Sequence, residues 1–197
     1  MTHFVLIAAV IGARATPPSV AQMPDRALTD ALGRIYRLEQ YTAFDWIVGR
    51  LEKGTLSLQG FARTPQLRQQ AEAAARKGSG VDDIVNRIEV LPAHASDDDL
   101  RVRAYEAIYA SGALERYAPG GQFGDAARSD LEEAARVGLD ASGVGRGPHA
   151  IHIIVSGARI LLLGQVRTTG DRQQAEARTR TLSGVLGVTN QLRVPER

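Results

Sequence analysis

The chain has 197 residues, 44% hydrophobic and 23% charged, with a net charge of +2. That balance excludes a disordered chain and a bundle of membrane spans, and so slight a positive surplus, at a pI near 9.2, leaves little to hold nucleic acid. The absence of cysteine excludes disulfides, thiolate metal sites, a cysteine nucleophile and an acylated cysteine anchor.

Residues 1–21 read as a signal peptide. Phe4–Ala13 is an apolar run too short to span a bilayer, and Ala13-Arg14-Ala15 and Ser19-Val20-Ala21 are small-x-small cleavage signals. The expected location is therefore periplasmic or otherwise exported. With no Lys or Arg before the run, a buried N-terminal strand in a cytoplasmic protein is the alternative. Pro17, Pro18 and Pro24 mark a linker.

From there the pattern predicts a helix over 25–40, with Leu28, Leu32 and Ile35 as its apolar stripe. A strand follows over 43–51, then a turn at Glu52-Lys53-Gly54 and a returning strand over 55–62. Thr64-Pro65 starts a helix running to about Lys77: threonine caps it, and proline sits where its missing N–H is of no consequence. A third strand spans 81–91. The second half predicts a helix over 97–110, strands over 150–156, 160–167 and 187–194, a turn at Ser156–Arg159, and a helix over 170–182 opened by Thr168 with Asp171. Between this half's first helix and first strand lies an extra segment, about 111–148, with a short helix expected around 125–137 and a glycine-rich run over 143–148.

The two halves are copies. Residues 58–90 shifted by 104 fall on 162–194 without a gap, identical at 16 of 33 positions. Each unit is helix, strand, strand, helix, strand. The expected fold is α+β: two α-β-β-α-β units, over 25–91 and 97–194, each a three-stranded mixed sheet with two helices on one face, because the second helix must carry the chain across to a parallel third strand.

Leu58-Gln59-Gly60, Ser79-Gly80-Val81 and Val85-Asn86-Arg87-Ile88-Glu89-Val90, with Gly184-Val185 and Val188-Thr189-Asn190-Gln191-Leu192-Arg193-Val194 in the second copy, resemble the BON domain, and the whole resembles the double-BON proteins of bacterial envelopes. The resemblance implies a non-enzymatic envelope protein that binds phospholipid membranes, protects the envelope under osmotic stress, or attaches to larger membrane machines. The segment at 111–148 departs from the family's short connection there.

Most shared residues read as structural. Gly60 and Gly164 sit in mid-strand, where a bulge or close approach is expected, and Gly80 and Gly184 supply a turn before the third strand. Asn86 and Asn190 read as amides that satisfy backbone groups. Trp46 is either a core aromatic or a lipid anchor.

No cofactor is expected. His149 and His152 would point to opposite faces of a strand, 143–147 lacks the ending of a phosphate loop, and Asp97-Asp98-Asp99 lacks the spacing of a calcium loop and suits a helix N-terminus. One stripe fits an anionic headgroup: Arg101, Tyr105 and Tyr109 at i, i+4, i+8, followed by Arg116 and Tyr117. The other reading of the same stripe packs the tyrosines over the sheet edge. The arginine-rich composition, with lysine only at Lys53 and Lys77, fits either a taste for phosphate or codon bias. The expected partner is an anionic phospholipid surface. The alternative is an envelope protein docked through edge strands or through the extra segment.

Overall fold

In the computed structural model, which describes residues 26–77, 80–110, 112–118 and 149–195, two α-β-β-α-β units follow one another. The expected signal peptide at 1–21, the helix around 125–137 and the glycine run at 143–148 lie outside the described residues. The first unit comprises α1 (Arg26–Tyr36), β1 (Trp46–Glu52), β2 (Thr55–Ala62), α2 (Pro65–Arg76) and β3 (Asp83–Val90). The second comprises α3 (Ala95–Tyr109), a 3-10 helix (Gly112–Tyr117), β4 (Ile151–Ser156), β5 (Arg159–Gly164), α4 (Thr169–Arg180) and β6 (Gly187–Asn190).

Each sheet is mixed. β1 pairs antiparallel with β2, and β2 parallel with β3; β4, β5 and β6 repeat the arrangement. Both hairpins turn through two residues with positive φ, Lys53 (50°) with Gly54 (81°) and Gly157 (57°) with Ala158 (59°), the turn whose twist matches the flanking strands. Caps start the second helix of each unit: Thr64 Oγ1 accepts from Leu67 N–H at 3.2 Å, and Thr168 Oγ1 accepts from Asp171 N–H at 3.1 Å.

Alternation builds the cores. In the first unit, Ile47, Leu56, Leu58 and Ile88 meet Leu32 and Ile35 of α1 and Leu67, Ala71 and Ala75 of α2. In the second, Ile153, Val155, Ile160 and Leu162 meet Leu100, Ala104 and Ile108 of α3 and Ala175 of α4. Each fully buried aliphatic side chain of this kind contributes about 1.5–3 kcal/mol. The 3-10 helix belongs to this second core, through buried Leu114 and Tyr117, although the sequence pattern assigns it to the extra segment.

A third cluster joins the units. The sheet faces turned away from the helices pack together, with Trp46, Val48, Phe61 and Leu91 from one side and Ile154, Leu161 and Leu163 from the other. At the free edge of β4, Ile153 N–H donates to Ala43 O of the first unit at 2.7 Å. Trp46 is thereby a covered core aromatic, 7% exposed, and is not free to anchor in lipid.

Regular structure ends earlier than the apolar pattern does. β5 stops at Gly164, and an isolated bridge from Gln165 to Arg193 continues its direction. β6 stops at Asn190, and α1 ends at Tyr36.

Candidate functional site

The repeated residues hold the two sheets in shape. Gly60 and Gly164 have φ of 118° and 120°, and a Cβ would lie 1.9 Å from Trp46 O in one copy and 2.2 Å from Ala150 O in the other. Glycine is therefore required for β1 and β4 to approach their neighbours. Gly80 and Gly184 share φ of 82° in the turn before the third strand.

Asn86 and Asn190 make the same three hydrogen bonds. Asn86 Nδ2 donates to Arg68 O and to Glu72 Oε2, each at 3.1 Å, and its Oδ1 accepts from Ile88 N–H at 3.1 Å. Asn190 donates to Arg172 O at 2.8 Å and Glu176 Oε2 at 3.2 Å, and accepts from Leu192 N–H at 3.1 Å. Asp83 N–H points to Gly54 O and Leu91 N–H to Ala62 O, so by the two-residue period the amides of Ile84, Asn86, Ile88 and Val90 point away from β2. The Ile88 amide that Asn86 captures is thus on the open edge of the sheet, and Asp83 Oδ1 takes the Ile84 amide on the same edge at 2.8 Å.

The opposite edges are closed as well. Tyr36 hydroxyl donates to Ile47 O at 2.9 Å, and Ile47 N–H donates to Tyr41 hydroxyl at 3.4 Å. In the second unit, Tyr109 hydroxyl donates to Ile151 O and accepts from Ile151 N–H. These edges present few free groups for an added strand.

Of the stripe of Arg101, Tyr105, Tyr109, Arg116 and Tyr117, the residues Arg101, Tyr109 and Tyr117 are buried and so do not face a headgroup, while Tyr105 and Arg116 are half-buried. Arg101 is 2% exposed; its Nη2 donates to Val155 O at 2.7 Å and its Nη1 to Asp98 Oδ1 at 2.6 Å. Tyr109 is buried on β4. Tyr105, half-buried, packs against Phe44 and Tyr109, with ring centroids at 5.9 and 4.7 Å. Tyr117 is buried: its hydroxyl donates to Asp171 Oδ2 at 2.8 Å and accepts from Arg167 N–H at 2.8 Å. Arg116 pairs with Asp171 and lies 5.4 Å over the Tyr117 ring. Helical spacing places Arg101, Tyr105 and Tyr109 on one stripe of α3, and that stripe faces the sheet edge.

The exposed apolar residues lie elsewhere. Leu186 is 71% exposed, and Val102 on α3 is 53% exposed. Leu186 N–H donates to Ala158 O at 2.8 Å, which ties its loop to the β4–β5 hairpin. The carboxylate of Asp97, 1% exposed, grips that hairpin by accepting from Gly157 N–H at 2.8 Å and Ala158 N–H at 2.9 Å. Arg103, next to Val102, donates to Ser183 O at 2.8 Å and pairs through Nε with Asp99 Oδ2 at 2.9 Å. Arg159 Nη1 would lie 3.0 Å from a Cβ on Gly187, so its guanidinium runs beside the residue that follows Leu186. Helix, hairpin and loop thus converge on one tip that carries leucine among arginines.

The equivalent tip of the first unit has the same backbone and the opposite chemistry. Asp82 N–H donates to Gly54 O at 2.8 Å, as Leu186 does to Ala158. Asp82-Asp83 stands where the second copy has Leu186-Gly187.

His149 precedes β4, so strand alternation does not govern it, and its ring lies 6.0 Å from that of His152. Among the described residues no group of three or more His, Cys, Asp or Glu is placed to hold a metal, and no helix is long and apolar enough to cross a membrane.

The family model of the BON domain matches the chain twice, over residues 25–92 and 127–196. Similar solved structures include the C-terminal domain of CdsD, a structural protein of the type III secretion system of Chlamydia trachomatis, at 11% identity, covering 90% of this chain and 100% of that one, with a TM-score of 0.28. A further CdsD structure from the same organism is 10% identical and covers 85% of this chain and 91% of that one, also with a TM-score of 0.28. No curated protein matches the chain.

Proposed function

The chain belongs to the BON-domain family, and from that premise we propose that it binds anionic phospholipid surfaces peripherally through the tip of its second unit, in support of envelope integrity under osmotic stress. The observation that carries this reading is Leu186, 71% exposed beside Arg159 at a tip whose copy in the first unit is acidic. A leucine held in water at a loop tip costs free energy that insertion recovers.

The magnitudes fit a weak, reversible contact. Transfer of one leucine side chain contributes about 1.5–3 kcal/mol. Arg159 adds about 1 kcal/mol near an anionic surface, and Arg103, paired with Asp99, adds less. The sum, about 2.5–4 kcal/mol, corresponds to a dissociation constant of about 1 mM or weaker in lipid. Such binding is peripheral and falls as salt screens the arginines. Docking of an envelope protein by strand addition fits less well, because tyrosine and asparagine side chains cover backbone groups on the sheet edges.

The test is flotation of a chain beginning at residue 22, which keeps every described residue, with anionic and neutral vesicles. Binding to anionic vesicles alone, weakened by salt, is the expected result. Equal binding to neutral vesicles, or none to either, would reject the reading.

A further inference from the structure

His152 occupies an unusual place. It lies on β4 on the face turned from the helices and is fully buried where the two units meet. The Trp46 ring stands edge-on to it at 4.9 Å, and the Tyr41 ring at 5.8 Å, both from the first unit. His149, from its own segment, stands at 6.0 Å. Neither ring nitrogen of His152 has a well-formed hydrogen bond to another protein group; the backbone of Asp45, His149 and Thr42 approaches it only loosely. A buried imidazole in that state is far easier to keep neutral than charged.

The groups facing it offer no counter-charge. Tyr41 is itself buried, and its hydroxyl accepts from Ile47 N–H. The Asp45 carboxylate is engaged by Thr42 and by Arg63 N–H, and burial raises its pKa. Burial, then the neighbouring His149, pushes the His152 pKa down to about 3; the carbonyls of Asp45, His149 and Thr42 act weakly the other way.

We propose that the seam between the two units is an acid-labile joint, in which protonation of His152 separates the apposed sheet faces and exposes Trp46, Leu161 and Leu163. With the seam open, the imidazole is in water and titrates near its ordinary value of 6.5. The closed form excludes the proton. Closure is therefore at full strength above 6.5 and weakens as pH falls below it: the ratio of open to closed rises about tenfold per pH unit, down to about 3. The helix-facing side chains of each unit pack apart from the seam, and the first unit's contribution to the second core is confined to Ala43 and Phe44, so opening withdraws those two residues and leaves the helices and sheets of both units in place.

Trp46 is the chain's single tryptophan and reports the seam directly. The full chain is titrated from pH 8 to pH 4 while tryptophan emission maximum, far-ultraviolet circular dichroism and radius of gyration are recorded. The expected result is a red shift and an increase in radius beginning below pH 6.5, with dichroism unchanged. In His152→Phe, which keeps a ring and removes the titration, both changes move to the pH of general acid unfolding; His152→Leu serves if Phe does not fit. An emission maximum and radius constant to pH 4 in the natural chain, or the same pH profile in a folded variant, overturns the proposal.

Discussion

Replacing Asn86 with alanine removes one acceptor and two donations at a stroke. Each hydrogen bond contributes about 0.5–1.5 kcal/mol net. Arg68 O and Glu72 are reached by water, so their share lies at the low end, while the Ile88 amide loses the acceptor that Asn86 Oδ1 supplies on the sheet edge. The expected loss is about 2 kcal/mol, and Asn190→Ala, with its matching bonds, should cost the same in the second unit. Hydrogen exchange gives the local readout. In Asn86→Ala the Ile88 amide should exchange much faster, while Arg87 and Glu89, whose amides face β2, stay protected. Glu72 gives an independent one: its carboxyl is held below the ordinary value of 4.5 first by Asn86 and then by Arg76. A lowered carboxylate stabilises the fold above its ordinary pKa, and that contribution fades as pH falls through the folded value. In the variant, Glu72 should titrate closer to 4.5, and part of this pH dependence should vanish. Unchanged protection at Ile88, or a loss under about 0.5 kcal/mol in both copies, would refute the role assigned to the amide.

Other outcomes follow from the same geometry. Gly60→Ala and Gly164→Ala place a Cβ 1.9 and 2.2 Å from a backbone oxygen that no rotamer change can move, so each should cost about 3 kcal/mol or more in chemical denaturation; a loss under about 1 kcal/mol would contradict this. Ala158→Gly relieves a φ of 59° and should stabilise the second unit by about 1 kcal/mol, read as a rise in its melting temperature. Burial raises the Asp171 pKa, but hydrogen bonds from Thr168, Tyr117 and Arg116 outweigh it, and the net result is a lowered value. Its stabilising contribution is present above about 3.8 and is lost as pH falls, so Tyr117→Phe should move the carboxyl titration upward in side-chain NMR.

The duplicated core was legible in the sequence because the chemistry that builds it is local: Thr64-Pro65, Thr168, the two hairpin turns and the alternation of Leu56 with Leu58 all specify structure within a few residues. The direction of Arg101 was not. Its i, i+4, i+8 spacing with Tyr105 and Tyr109 is set by the helix, but its inward turn depends on Val155 O, 54 residues away. Tyr36 and Tyr109 perform one task in the two copies, yet they match at an offset of 109 − 36 = 73, not 104, and so escape a gapless comparison. The replacement of Asp82-Asp83 by Leu186-Gly187 was visible at the 104-residue offset, but as a mismatch whose meaning depends on both loops standing at exposed tips.

That contrast supplies the most direct measurement. Leu186→Asp with Gly187→Asp gives the second tip the acidic pair of the first and leaves the core untouched. Removing the leucine costs about 1.5–3 kcal/mol of insertion, and two negative charges oppose the anionic surface by about 1 kcal/mol each. Flotation on anionic vesicles should fall by a hundredfold or more in apparent affinity, with the circular dichroism of the chain unchanged. A folded variant that floats as well as the natural chain would contradict the account.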